Sequence, residues 1–339
     1  MLASMLMESA FGAPDVSPEV LSRYNHEDGA ALIAMESAAD LHDIFVEGFI
    51  GMEELEFQQY RANMEGASED VMEGIGEKIA SGAKNAIAKI KAFIKKLWEK
   101  VKGFFHNVRR YLDGIFMNGA DFAKKYEGEL KKLKLNGFTY SMYNYDIDTL
   151  TKKMVNAEKK STDDILKMWA DIEKNMSTAV KADEVAGENK EMVEGLGNTI
   201  KEQLGVSDLD DTTKVREAAW SKVRNGATSD ADKKEVPVKI NEIITVLKKY
   251  PEQQKFFVDM AKDMDRMYAG TIKYLDAYAK EADEQKAKKK AAAARKLSSQ
   301  MSKYQSVSNI LVSEVKSAMA ERVKTYKSVC MAAFKYKAK

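Results

Sequence analysis

Between residues 77 and 113 apolar side chains return at steps of three and four, and no other feature of the chain constrains its fold as strongly. After Ile79, the positions Ile87, Ile90, Ile94, Leu97, Val101, Phe104, Phe105, Val108 and Leu112 lie on one face of a helix, with lysines filling the other. Gly103 is expected to bend that helix, since glycine costs about 1 kcal/mol against alanine in a helix interior. The 339 residues include only four prolines, Pro14, Pro18, Pro237 and Pro251, so none stands between 19 and 236 to break a helix. The expected fold class is therefore mainly α: an elongated helical bundle with long C-terminal helices and one small β-hairpin near 132–146.

The remaining segments support that outline. Short helices are expected around 28–48 and 52–64. The tyrosine-rich stretch 133–147 alternates in part and holds Asn136 and Gly137 at a turn-like place, which predicts strands near 132–136 and 138–145. Met154, Ile165, Leu166, Trp169, Ile172 and Met176 predict a helix over about 148–180, followed by a polar helix over 182–204 that Gly205 closes. Residues 207–211 offer caps for a further helix, through Ala219 and Trp220 to Asn225 and Gly226. A polar linker follows, then a helix over 238–249 that ends before Pro251. Beyond it, Phe257, Met260, Met264, Met267, Leu275 and Tyr278 mark one stripe, and Leu311, Val315, Val323, Tyr326, Cys330 and Phe334 mark another. These predict two long helices, or one interrupted helix, paired as a hairpin or coiled coil. Four regions result: an acidic 1–76, a basic helix with the hairpin over 77–147, a helical 148–236, and the long helices of 237–339.

The net charge of +1 conceals a strong segregation. Residues 1–77 carry 17 acidic and 2 basic side chains, a net of −15. Residues 84–110 carry 9 Lys/Arg against Glu99 alone, and residues 285–339 carry 14 against Glu314 and Glu321. Other classes fall away. Cys330 is the one cysteine, so no internal disulfide forms, and with only His26, His42 and His106 beside it there is little soft-metal chemistry. No apolar run approaches the ~18 residues of a membrane span. The first residues lack the basic and apolar parts of a secretory signal. No histidine lies beside a nucleophile, and Glu73-Gly74-Ile75-Gly76-Glu77 is no phosphate loop, so no catalytic, cofactor or metal residues are named and no enzyme is expected.

The basic helix admits four uses. It suits an anionic membrane surface with Trp98 in the interface, a groove on a partner, or nucleic-acid phosphates; or its apolar face is simply core. The lysine run at 286–296 and the C-terminal KYKAK favour phosphate. The candidate contacts are Lys84, Lys89, Lys91, Lys95, Lys96, Lys100, Lys102, Arg109 and Arg110, with Lys286, Lys288, Lys289, Lys290, Arg295 and Lys296. The acidic region repeats a tripeptide, Met-Glu then a small residue, at Met7, Met35, Met64 and Met72, and nowhere afterwards. Two of the four stand near Gly/Ser punctuation, where a protease reaches extended backbone.

From Ile87 to Asp148 the Lys/Phe/Trp-rich helix is followed by FAKKYEGELKKLKLNGFTYSMYNYDID. This combination resembles internal head or virion structural proteins of large tailed bacteriophages, over about a fifth of the chain. The resemblance implies a protein packaged in the capsid with the genome, made in the host cytoplasm with an N-terminal propeptide that directs it to the prohead. It also implies a maturation protease that cuts after glutamate in motifs of a small or aliphatic residue, any residue, then Glu. Leu6-Met7-Glu8, Ala34-Met35-Glu36 and Val71-Met72-Glu73 fit that motif, and Asn63-Met64-Glu65 fits it less well. The implied scissile bonds are Glu36–Ser37 and Glu73–Gly74. Cutting after Glu73 removes a net of −14 and leaves a body near +15. The expected partners are the capsid or prohead, the protease and double-stranded DNA. The other readings are a scaffold-like assembly protein, or an injected membrane-active protein working through 84–110.

Overall fold

The computed structural model describes residues 69–177, 201–202, 204–206 and 211–337. The helices expected at 28–48 and 52–64, most of the polar helix at 182–204, and the Glu36–Ser37 bond lie outside them. The described residues form α1 (Glu69–Leu130), β1 (Thr139–Met142), α2 (Ile147–Ser177), α3 (Thr212–Val223), β2 (Lys234–Pro237), α4 (Ile240–Tyr278) and α5 (Glu284–Lys337). The mainly helical architecture with one small antiparallel strand pair is as expected. At 1.5 Å per residue the 62-residue α1 is about 90 Å long, and it runs unbroken through Gly103.

Cross-helix contacts give the directions. Along α1, Lys91 pairs with Asp276, Trp98 Nε1 donates to Asp265 at 2.6 Å, and Glu127 pairs with Lys248, so α1 and α4 are antiparallel. Lys316 lies 5.5 Å from the Tyr111 ring and Phe334 packs on Tyr126 at 6.0 Å, so α1 and α5 are parallel. The Tyr268 hydroxyl donates to Gln305 at 2.9 Å across the antiparallel α4–α5 hairpin, which is the pairing the two apolar stripes predicted. On the far side of that hairpin lies α2, whose Glu158 meets Tyr304 and whose Trp169 packs on Tyr278 at 5.7 Å. Core residues from Ala83 to Ala333 form one continuous cluster.

Among the described elements, the central one buries the most polar side chains. α5 touches α1, α2, α3 and α4, yet it buries Ser298, Ser302, Gln305, Ser308, Asn309, Ser313 and Glu314. Buried polar groups require partners. Here Gln305 donates to Asn309 at 2.8 Å, and Glu314 takes Arg216 of α3 at 3.3 Å. Asp211 caps α3 by accepting from the Lys214 amide at 3.0 Å, so one of the proposed caps stands.

Two sequence expectations change. The strand expected over 138–145 is β1, but its partner is β2, in register Thr139↔Pro237 to Met142↔Lys234, rather than 132–136. The amides of Lys131, Lys132 and Leu133 bond back to the last turn of α1, so they cannot form a ladder. Gly137, at φ +75°, makes the expected turn, but it turns the chain from the helix end into β1. The second strand comes from what reads as polar linker. Pro251 does not end a helix either: α4 continues through it. Leu247, Tyr250, Phe257, Met260 and Met264 keep one helical register across the proline and are all buried, which outweighs the ~3 kcal/mol that a proline costs inside a helix.

Candidate nucleic-acid interface

The apolar face of the basic helix is core. Ile87, Ile90, Ile94, Leu97, Val101, Phe104, Phe105, Val108 and Leu112 are each at most 6% exposed. Trp98 is half-buried, bonded to Asp265 and stacked on Tyr268 at 6.5 Å. A membrane or a partner's groove could use that face only if α1 left α4 and α5. The lysine face is outside: Lys84, Lys95, Lys96, Lys102, Arg109 and Arg110 are exposed, while Lys89, Lys91 and Lys100 are half-buried. Lys91 is committed to Asp276, and Lys102 bonds Glu99 at 2.7 Å while lying 3.9 Å over the Trp98 ring.

On α5, Lys296 is exposed, and Lys286, Lys288, Lys289 and Arg295 are half-buried. Lys290 differs. It is 5% exposed, ion-paired with Glu281 at 2.9 Å and Glu173 at 3.2 Å, and 5.3 Å from the Tyr278 ring. The hydrogen bond from Lys290 holds the Glu281 carboxyl below its ordinary value. A buried cation held by two carboxylates ties the ends of α2, α4 and α5 together and is not a phosphate contact.

Because α1 and α5 run parallel, their basic blocks, about 200 residues apart in the chain, share one end of the bundle. Lys91 meets Asp276 and Lys290 faces Tyr278, two residues apart on α4. Composition shows two blocks; only the register of the helices joins them. The result is an end of the bundle rich in ammonium and guanidinium groups on helical backbone, a chemistry suited to phosphates through charge rather than to any one base sequence.

The implied Glu73–Gly74 bond lies within helical backbone, in the second turn of α1. A protease needs extended backbone, so cutting there requires the start of α1 to unwind, which a helix end does most readily because its first amides have no intrahelical partner. The first described core side chain of α1 is Ala83, so such a cut leaves the cluster whole.

Among the described residues no group of three or more His, Cys, Asp and Glu could hold a metal, and no helix is long and apolar enough to cross a membrane. His106 is exposed. Burial pushes the Cys330 thiol up to about 11, which keeps it protonated and inert near neutral pH. Among the described residues the carboxyl raised furthest is Glu158, which no sequence signal marks. It is 2% exposed, accepts from the Tyr304 hydroxyl at 2.7 Å and the Ser308 hydroxyl at 3.1 Å, and leaves Oε1 without a partner. Burial raises it to about 7 against the pull of those two hydrogen bonds.

No family model, no curated protein and no solved structure matches the chain.

Proposed function

We propose that the chain is a non-enzymatic structural protein of a phage particle. In this reading it is an internal head protein, packaged with the genome, that binds DNA without sequence preference once its acidic N-terminal region is removed. The observation that carries the reading is the meeting of two lysine-rich blocks at one end of the bundle, in a chain whose first 77 residues hold a net charge of −15. The acidic region competes with DNA phosphates for that end during assembly in the host cytoplasm. The maturation protease removes it in the prohead, and the basic body, near +15, then neutralises packaged phosphate in the head interior. The membrane-active reading loses ground because the face it needs is filled by α4 and α5.

The test is the mass and N-terminal sequence of the protein recovered from its particle, beside its DNA affinity across a salt series. A start at Ser37 or Gly74, with a slope of log K against log salt near −5, fits about six phosphate contacts. A start at Met1 together with no DNA affinity at low salt refutes the reading.

A further inference from the structure

The opposite end of the bundle carries its own concentration of exposed cations. Lys131, Lys132 and Lys134 leave the end of α1, Lys248 and Lys249 project from the start of α4, and Lys335 stands at the end of α5; all six are exposed. Contacts gather these segments: Lys248 reaches Glu127, the Tyr336 hydroxyl donates to the Asn136 carbonyl at 3.2 Å, and Phe138 packs on Tyr336 at 5.0 Å. The local acids are fewer. Glu127 is shared by Lys131, at 2.7 Å, and Lys248, whose hydrogen bonds hold its carboxyl down to about 2. Glu129 on that turn and Glu242 at the start of α4, which pairs with Lys239 at 3.1 Å, are further acids there, so the cluster keeps a positive surplus. Between α1 and α4 a shallow groove of about 620 Å³ opens there, lined by Lys131, Lys248 and Lys249, by Glu127, which two of those lysines share, and by Asn241, Ile244 and Thr245.

The two basic ends are separate. From Tyr111 to Phe122, α1 has no Lys or Arg; its only charges are Asp113, which is bonded to Gln254, and exposed Asp121, beside exposed Tyr111 and Met117. The facing stretch of α4, 250–262, balances Lys255 and Lys262 against Glu252 and Asp259. A duplex laid along this side would cross a stretch where the α4 charges cancel and where Lys316 and Lys327 of α5 turn onto the Tyr111 and Phe122 rings. Continuous helix from Lys84 to Leu130 is about 70 Å long, and about 20 Å of it, from Arg110 to Lys124, separates the two blocks.

We propose that the second end is a further phosphate-binding surface and that one chain bridges two segments of double-stranded DNA, one at each end of the bundle. This rests on the DNA-binding reading above and adds a geometry to it: a bivalent spacer that draws duplexes together, where a single basic end would only coat one.

The experiment counts duplexes per chain. The chain from Gly74 onward, which keeps the whole core cluster, is titrated at about 50 mM salt with a duplex of about 12 base pairs, which at about 3.4 Å per pair is too short to reach from Lys84 to Lys132, and the full chain is run beside it. Stoichiometry is read by sedimentation velocity, and pelleting of long linear DNA is followed in parallel. The near end is reversed by Lys84→Glu, Lys95→Glu and Arg109→Glu together, the far end by Lys132→Glu, Lys134→Glu and Lys249→Glu together. All six positions are exposed, and circular dichroism checks that the helices persist. The expected result is two duplexes per wild-type chain, one for either variant, and pelleting by the wild type alone. One duplex per wild-type chain, or pelleting that survives far-end reversal, overturns the bridging proposal while DNA binding stands. No duplex bound by any form overturns the DNA reading itself.

Discussion

Replacing Glu158 by Gln should remove a loss of stability that the chain suffers between pH 4.5 and about 7. In the fold this carboxyl is fully enclosed between α2 and α5. Tyr304 and Ser308 donate to Oε2, among the described residues no cation reaches either oxygen, and Asp263 of α4 adds repulsion. Its pKa rises from the ordinary 4.5 to about 7. The folded state thus holds a proton that the unfolded chain releases above pH 4.5. Stability from this group is complete below 4.5, falls as pH rises from 4.5 to about 7, and is flat above that. A rise of 2.5 units at 1.36 kcal/mol each is about 3 kcal/mol. Glutamine keeps an acceptor for both hydroxyls and cannot ionise. Its amide meets the same partnerless side as Oε1, at a cost of about 1 kcal/mol. Urea unfolding of both proteins at pH 4.5, 6, 7 and 8 measures the difference. The variant should equal or trail the wild type at pH 4.5 and exceed it by about 2 kcal/mol at pH 8. Other titrating groups cancel in the difference curve. Parallel curves would mean that Glu158 is ionised or solvated in the fold, and would refute the reasoning.

Lys290→Met should cost about 1–2 kcal/mol, less than a fully buried pair, because Glu281 and Glu173 are 20% and 42% exposed and can turn toward water; the salt dependence of DNA binding should not change, which a salt series on the variant checks. Arg216→Leu leaves Glu314 buried without that partner and should lower unfolding free energy by about 3 kcal/mol in urea titrations. Gly103→Ala, with nothing within 4 Å of the added methyl, should raise stability by about 1 kcal/mol. Gly270→Ala drives a methyl into the Leu166 side chain and should lower thermal stability, since overpacking costs about 1–3 kcal/mol against that same gain in helix propensity.

Much of the fold was legible because helix formation is local. The stripe through Ile87, Ile94, Val101 and Val108 specifies a helix and the side of it that is buried, and no distant residue is needed to read either. The stripes of α4 and α5 foretold a hairpin for the same reason. α5 was harder: a helix that buries Ser302, Gln305 and Asn309 looks solvent-exposed from its composition, and only four surrounding helices make it central. The basic candidates were legible as charge and not as location. Lys290 and Lys296 belong to one run, yet one is enclosed by two carboxylates and the other is exposed.

The helical class and the inward face of each amphipathic segment follow from spacing within a few turns, and the segregation of acid from base follows from composition along the chain. Tertiary structure alone decided that β1 pairs with a strand some ninety residues onward, that α4 tolerates Pro251, that a glutamate near the middle of α2 loses its water, and that two lysine blocks share an end. Each of these depends on the register of one helix against another. Register is set by packing summed over the whole core, a quantity that no local window of residues contains.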